Sequence, residues 1–124
     1  MSERQTQQRQ AIREAVRRAD RPLSPQEILD AAGTLAPGLG LATVYRAVKI
    51  GVTEGWLAAV EVPGSATRYE PAGKHHHHHF ACRGCGSVYE VEGCPGNITP
   101  LTPAGFKLED HELVLFGLCR SCNA

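Results

Sequence analysis

Two Cys-x-x-Cys pairs, Cys82/Cys85 and Cys119/Cys122, constrain this chain more than any other feature. Each pair presents two sulfurs from one tight turn, and Gly84 and Gly86 around Cys85 supply the backbone freedom that such a turn needs. Joined at one centre, the pairs would fasten the end of the chain to its middle. Four thiolates at this spacing suit a closed, tetrahedral zinc site of the structural kind. Disulfides or idle core cysteines are the alternatives. The start of the chain, MSERQTQQRQ, is polar and resembles no secretory leader, which argues against an oxidised framework. A redox Cys-x-x-Cys would sit at a helix start after a strand, and that setting is missing here. Cys94 is the odd cysteine and reads as a free thiol.

Five consecutive histidines, His75 to His79, run directly into the first pair. On an extended strand successive side chains alternate faces. His75, His77 and His79 would therefore share one face, with His76 and His78 on the other, an arrangement able to feed two metal sites. Glu70 precedes the run, Glu90 and Glu92 follow the first knuckle, and His111 lies upstream of the second. An engineered tag would stand at a terminus, and a storage tract would be repeated. This run is internal, single and continuous with a metal-ligand motif.

The first part of the chain has a different character. Residues Glu3 to Ala19 contain neither proline nor glycine and place Ile12, Ala15, Val16 and Ala19 at helical spacing. Ser24-Pro25-Gln26-Glu27 has the form of a capping box, opening a second helix that turns Ile28, Leu29, Ala32 and Leu35 inward. After the turn Ala36 to Gly40, Leu41 to Ile50 reads as a third helix with Val44, Ala47 and Val48 toward a core. The order helix, helix, short turn, helix outlines a helix-turn-helix. Strands at Trp56–Val62 and Ala66–Glu70 around Pro63-Gly64-Ser65 would add the hairpin of a winged helix. The short hinge Pro71-Ala72-Gly73 separates residues 1–72 from residues 73–124. In the second part the histidine run, Ser87–Val91, Lys107–Glu109 and Glu112–Leu118 are candidate strands, and prolines keep any helix between Gly93 and Gly105 short.

Net charge is zero, yet ten of the thirteen Lys and Arg residues precede the histidines, against eight of the thirteen acids. The excess of positive charge therefore lies in the helical part, where ordinary solvated helix faces are one reading and nucleic-acid contact another. No stretch approaches the length of a membrane span. The expectation is a cytoplasmic protein.

With these residues in place, the chain resembles the ferric uptake regulator family of metal-responsive repressors along almost its whole length. The resemblance is carried by Leu41-Ala-Thr-Val-Tyr-Arg46, Arg68-Tyr-Glu70, the histidine run into Cys82-x-x-Cys85-Gly86, Gly105-Phe106, and His111 through Gly117-x-Cys119-x-x-Cys122. It implies an α+β protein with an N-terminal winged helix-turn-helix domain and a small C-terminal α/β dimerisation domain built on a four-cysteine zinc site. It further implies a homodimer that grips a palindromic double-stranded DNA operator when its regulatory metal is bound. Tyr45 would approach bases, Arg46 the backbone or a base edge, with Thr43 beside them and phosphate contacts from Arg13, Arg17 and Arg18. A hinge site would use Glu70, His77, His79 and Glu90, and a second site His76, His78 and His111.

Two departures bear on the metal. Arg21-Pro22 stands where many members carry a further histidine ligand, and His78 stands where iron-type members carry a carboxylate, with Cys94 or Glu92 near the place of another acidic ligand. Nitrogen and sulfur in place of oxygen favour Zn2+ over Fe2+, with Mn2+ and Ni2+ as further candidates. An enzyme is not expected: neither H-E-x-x-H nor the deaminase pairing of H-x-E with P-C-x-x-C occurs, and no small-molecule substrate is implied. The rival is a metal storage or chaperone protein, which would have no use for Thr43-Val-Tyr-Arg46 on a helix.

Overall fold

The computed structural model describes residues 2–124. The chain forms two compact units, the first ending at Lys74 and the second starting at His75.

In the first unit three helices precede a two-stranded hairpin. Helix α1 (Glu3–Arg18) starts at Ser2, whose hydroxyl accepts from the Gln5 amide while the Gln5 side chain returns to the Ser2 N–H. Helix α2 (Pro25–Ala32) uses the same reciprocal cap: the Glu27 N–H donates to Ser24 Oγ at 3.2 Å and the Ser24 N–H donates to Glu27 Oε1 at 2.9 Å. Helix α3 (Leu41–Glu54) runs past its expected end at Ile50 and stops at Gly55, which takes the left-handed conformation at φ 89°. Gly51 lies inside this helix because a Cβ there would come within 2.7 Å of Leu57 Cδ1. Close packing against the first strand explains a glycine that otherwise signals a helix end.

The apolar stripes of the three helices meet in one core of Ile12, Val16, Ile28, Ala32, Val44 and Val48, closed by Leu23 and Leu57. Burial of each larger aliphatic side chain contributes about 1.5–3 kcal/mol. Leu35, expected in this core, is 53% exposed, because α2 has already ended at Ala32 and the following turn carries Leu35 away. Strands β1 (Leu57–Val60) and β2 (Arg68–Pro71) pair antiparallel, and Leu23 bridges to Tyr69 beside them. The hairpin is anchored to the helices by Glu27. Its carboxylate accepts from Arg68 Nη1 at 2.6 Å and from Arg21 Nη1 at 2.8 Å.

The second unit is a three-stranded sheet. Strand β3 (His78–Cys82) is central, with β4 (Val88–Val91) antiparallel on one side and β5 (Val114–Gly117) parallel on the other. Thr99–Leu101 forms a single 3-10 turn. The α content expected of this unit reduces to that turn among the described residues, since Pro95, Pro100 and Pro103 deny a longer helix its backbone donors. Lys107–Glu109, expected as a strand, has no ladder partner and is irregular. No helix among the described residues is long and apolar enough to cross a membrane.

Candidate metal centres

Strand β3 and the residue pairs around it gather two clusters of metal-ligating atoms within the second unit. At its end, Cys82 and Cys85 meet Cys119 and Cys122, with all four sulfurs within 4.8 Å of one another. The Cys85 and Cys119 sulfurs are 3.9 Å apart, close to the edge of about 3.8 Å expected when four sulfurs each stand about 2.3 Å from one zinc. The two halves arrive there because β5 lies parallel to β3, so both strands end at the same edge of the sheet and each continues into a knuckle. Gly84 makes the approach possible: a Cβ on it would lie 2.8 Å from the Cys122 sulfur.

Backbone donors already point at these sulfurs. The N–H groups of Cys85 and Cys119 lie 3.5 and 3.3 Å from Cys82 Sγ, and they pull the Cys82 thiol down to about 6. The backbone N–H of Cys122 and the Tyr89 hydroxyl lower Cys119. In contrast, Cys122 is pushed up to about 12 by its hydrogen bonds to Cys119 and Cys82. Four sulfurs this close cannot all ionise without a cation to balance them, which is the electrostatic condition of a thiolate metal site.

At the other end of β3, which begins only at His78 and not at the start of the histidine run, the histidines still sort into alternate pairs. His76 and His78 stand together with ring centroids 4.5 Å apart, and His77 stands with His79 at 4.8 Å. The Nε2 atoms of His76, His78 and His111 form a triangle with sides of 3.1, 3.2 and 3.2 Å. Cys94 Sγ caps that triangle at 3.4 Å from His78, 3.4 Å from His111 and 3.8 Å from His76. His78 is 1% exposed. Burial, followed by the neighbouring imidazoles of His76 and His111, holds it below the usual histidine range, which keeps it in the neutral form that can donate a lone pair to a metal.

The Nδ1 atom of His77 lies 2.7 Å from the carbonyl oxygen of its second neighbour, His75; a carbonyl only accepts, so Nδ1 carries a proton and Nε2 is the nitrogen that could face a metal. That Nε2 is 3.6 Å from Glu90 Oε1, and Glu90 is the register partner of His79 on β4. Glu70, the remaining expected hinge ligand, is buried on β2 of the first unit, 3.7 Å from Lys74 Nζ.

The residues expected to meet DNA all lie in the first unit. Tyr45 is 55% exposed on α3, and Arg46 Nη2 is 3.1 Å from Thr43 Oγ1 on the same helix. Arg17 and Arg18 both pair with Glu14 on α1, while the Arg13 guanidinium lies over the Trp56 ring at 4.4 Å.

Two residues at these centres escape the sequence reading. Tyr89 offers its hydroxyl to Cys119, and only the register of β4 on β3 brings it there. Cys94 could be found only as a thiol near the place of an acidic ligand, with Glu92 an equal candidate.

Comparison with known proteins identifies the family. The ferric uptake regulator family matches residues 1–116. The ferric uptake regulation protein of Campylobacter jejuni is 29% identical over 95% of this chain and 78% of its own. The zinc uptake regulation protein of Mycobacterium tuberculosis is 32% identical over 98% of this chain and 95% of its own. Among solved structures, the Helicobacter pylori ferric uptake regulator, described as having three functional metal-binding sites, superposes with a TM-score of 0.73. It is 27% identical, with 94% of this chain and 80% of that one covered. The chain belongs to the ferric uptake regulator family.

Proposed function

We propose that the chain is a metal-responsive transcriptional repressor that binds operator DNA as a homodimer and controls metal-homeostasis genes in the cytoplasm. The observation that carries this reading is the joining, at Lys74–His75, of a helical unit that exposes Tyr45 and Arg46 on α3, with Thr43 half-buried beside them, to a unit that opens on histidines clustered with other metal-ligating side chains. Residues 1–72 would act as the winged-helix DNA-binding domain, with α3 reading bases and Arg13 and Arg17 meeting phosphates. Residues 73–124 would hold metal and dimerise. Support for dimerisation comes from apolar surface on the second unit: Leu101 and Phe106 are 81% and 72% exposed, and Leu115 and Phe116 on the edge strand β5 are also open. Exposed apolar groups on an edge strand favour cover by a partner.

Cys82, Cys85, Cys119 and Cys122 would hold a structural Zn2+ that fastens the two strand ends. Two further sets would hold a regulatory divalent metal: Glu70, His77, His79 and Glu90 at the hinge, and His76, His78 and His111 on the opposite face of the strand. A bound divalent cation supplies a positive centre that neutral imidazoles and carboxylates share. The chain's own part is to bring those ligands together from separate stretches of its sequence. Two DNA-reading helices of a dimer engage both half-sites only at a matching separation, so ordering the hinge raises DNA affinity. The all-nitrogen set of His76, His78 and His111 places zinc ahead of iron, with manganese and nickel as further candidates.

The test is a DNA-retardation titration with zinc, iron, manganese and nickel, alongside elemental analysis. Metal should promote binding, and His77→Ala should weaken the response while leaving the cysteine zinc and the fold in place. A storage or chaperone protein is the alternative, and loading of several metals with no DNA retarded under any condition would favour it.

A further inference from the structure

Three imidazole nitrogens and the Cys94 sulfur occupy the corners of one tetrahedron, and all six of its edges lie between 3.1 and 3.8 Å. Hydrogen bonds align donors with acceptors pairwise and have no reason to aim four side chains at a common point. A zinc ion does: with nitrogen about 2.0–2.1 Å and sulfur about 2.3 Å from it, a regular tetrahedron has edges of about 3.3 Å between nitrogens and about 3.6 Å from nitrogen to sulfur. The observed triangle and its cap fall within a few tenths of an ångström of those values.

Two carboxylates near this cluster in sequence or in the sheet are directed elsewhere. Asp110 accepts the backbone N–H of His111 at 2.8 Å, and the Glu90 carboxylate is beside His77 on the opposite side of the strand. Among the described residues, the ligand group around His78 contains three histidines and one cysteine with no carboxylate.

We propose that Cys94 is the fourth ligand of the His76, His78 and His111 site, as a thiolate, and that it closes the site as a four-coordinate centre of three nitrogens and one sulfur, selective for zinc. This rests on the reading of that site as regulatory and decides which metal it takes. The thiol gives up its proton to solvent on binding, and the three imidazoles bind neutral, so one negative charge faces the cation. Zinc has no electronic preference against a tetrahedron and tolerates sulfur. Manganese and iron at their usual higher coordination would lack ligands here and would meet sulfur in place of oxygen. The ligands come from three separate places: the start of β3, the irregular stretch after β4 and the residue three before β5. Cys94 therefore ties the otherwise irregular segment 92–98 to the sheet.

The experiment uses full-length protein with its four-cysteine site filled by zinc, titrated with Co2+ and followed by absorption. The expected result is an intense visible spectrum of tetrahedral cobalt together with a near-ultraviolet thiolate-to-cobalt charge-transfer band. The hinge ligands, being nitrogen and oxygen, contribute no such band. In Cys94→Ala the band should vanish, zinc affinity at this site should fall at least about tenfold, and the cysteine zinc and circular dichroism should be unchanged. Zinc should also protect Cys94 from maleimide in the wild type, and His111→Ala should remove that protection. A band that persists in Cys94→Ala, or a wild-type spectrum lacking it, overturns the assignment. DNA retardation by the same wild-type samples is scored separately, so failure of the thiolate assignment and failure of the repressor reading give different results.

Discussion

At Gly84 a missing side chain decides whether four sulfurs can meet. A methyl group there would press on Cys122 Sγ at 2.8 Å and on its Cβ at 2.9 Å, distances at which one of the two must move. Gly84→Ala should therefore lower the zinc content and displace the last knuckle, whereas Gly86→Ala meets no neighbouring atom and strains only its own left-handed backbone at φ 77°. Elemental analysis of both purified variants checks this, and equal zinc in Gly84→Ala and wild type would contradict it. The cysteines are legible in the sequence because a Cys-x-x-Cys pair carries its geometry locally. Cys94 has no such pattern, since its role depends on the path of residues 92–98, which follow no period. The histidines fall between these cases: the two-residue period of a strand can be read from a run of identical residues, but the partners His111 and Cys94 need the fold.

Among the secondary elements, α2 and the hairpin are joined by one carboxylate. Glu27 caps its own helix and accepts from Arg21 and Arg68. Burial alone would raise its carboxyl, but the Ser24 N–H and the two guanidinium groups together hold it below the ordinary value of 4.5. A depressed carboxylate stabilises the fold fully above its unfolded value and loses that contribution as pH falls through its lower folded value. Wild-type stability should thus decline in the acid range below about 4.5 by a component that Glu27→Gln lacks. Chemical denaturation across that range measures it, with Glu27→Gln already weaker at neutral pH by about 1–3 kcal/mol for the lost charged hydrogen bonds. Parallel acid limbs in the two proteins would refute the assignment. The cap is legible as Ser24-Pro-Gln-Glu27; the second use of Glu27, 41 residues away on Arg68, is not. Likewise α3 continues through Gly51 because Leu57 and Trp56 pack where a side chain would stand, a tertiary reason that overrides local helix propensity.

For the whole molecule, the proposed repressor function would divide DNA recognition between positioning and reading. Arg17→Ala should weaken binding to all sequences and reduce the slope of log affinity against log salt by about one counterion. Tyr45→Ala should relax preference among operator variants, by about 1–3 kcal/mol of discrimination, with the salt slope unchanged. Retardation assays at several salt concentrations separate the two, and a Tyr45→Ala effect confined to the salt slope would reverse the roles. The link between the two units has one more property, which follows from the five identical residues at its end. Loss of any one histidine codon produces the same protein, with four histidines counted back from Phe80. Positions 76 to 79 stay histidine, and the residue given up is His75, whose carbonyl is all that His77 uses. Lysine supplies that carbonyl equally well. One histidine can therefore be lost from the run with every histidine ligand kept, whereas Glu70, on the far side of the link, would stand one residue nearer to them in sequence, so the length of the link bears on the hinge site alone.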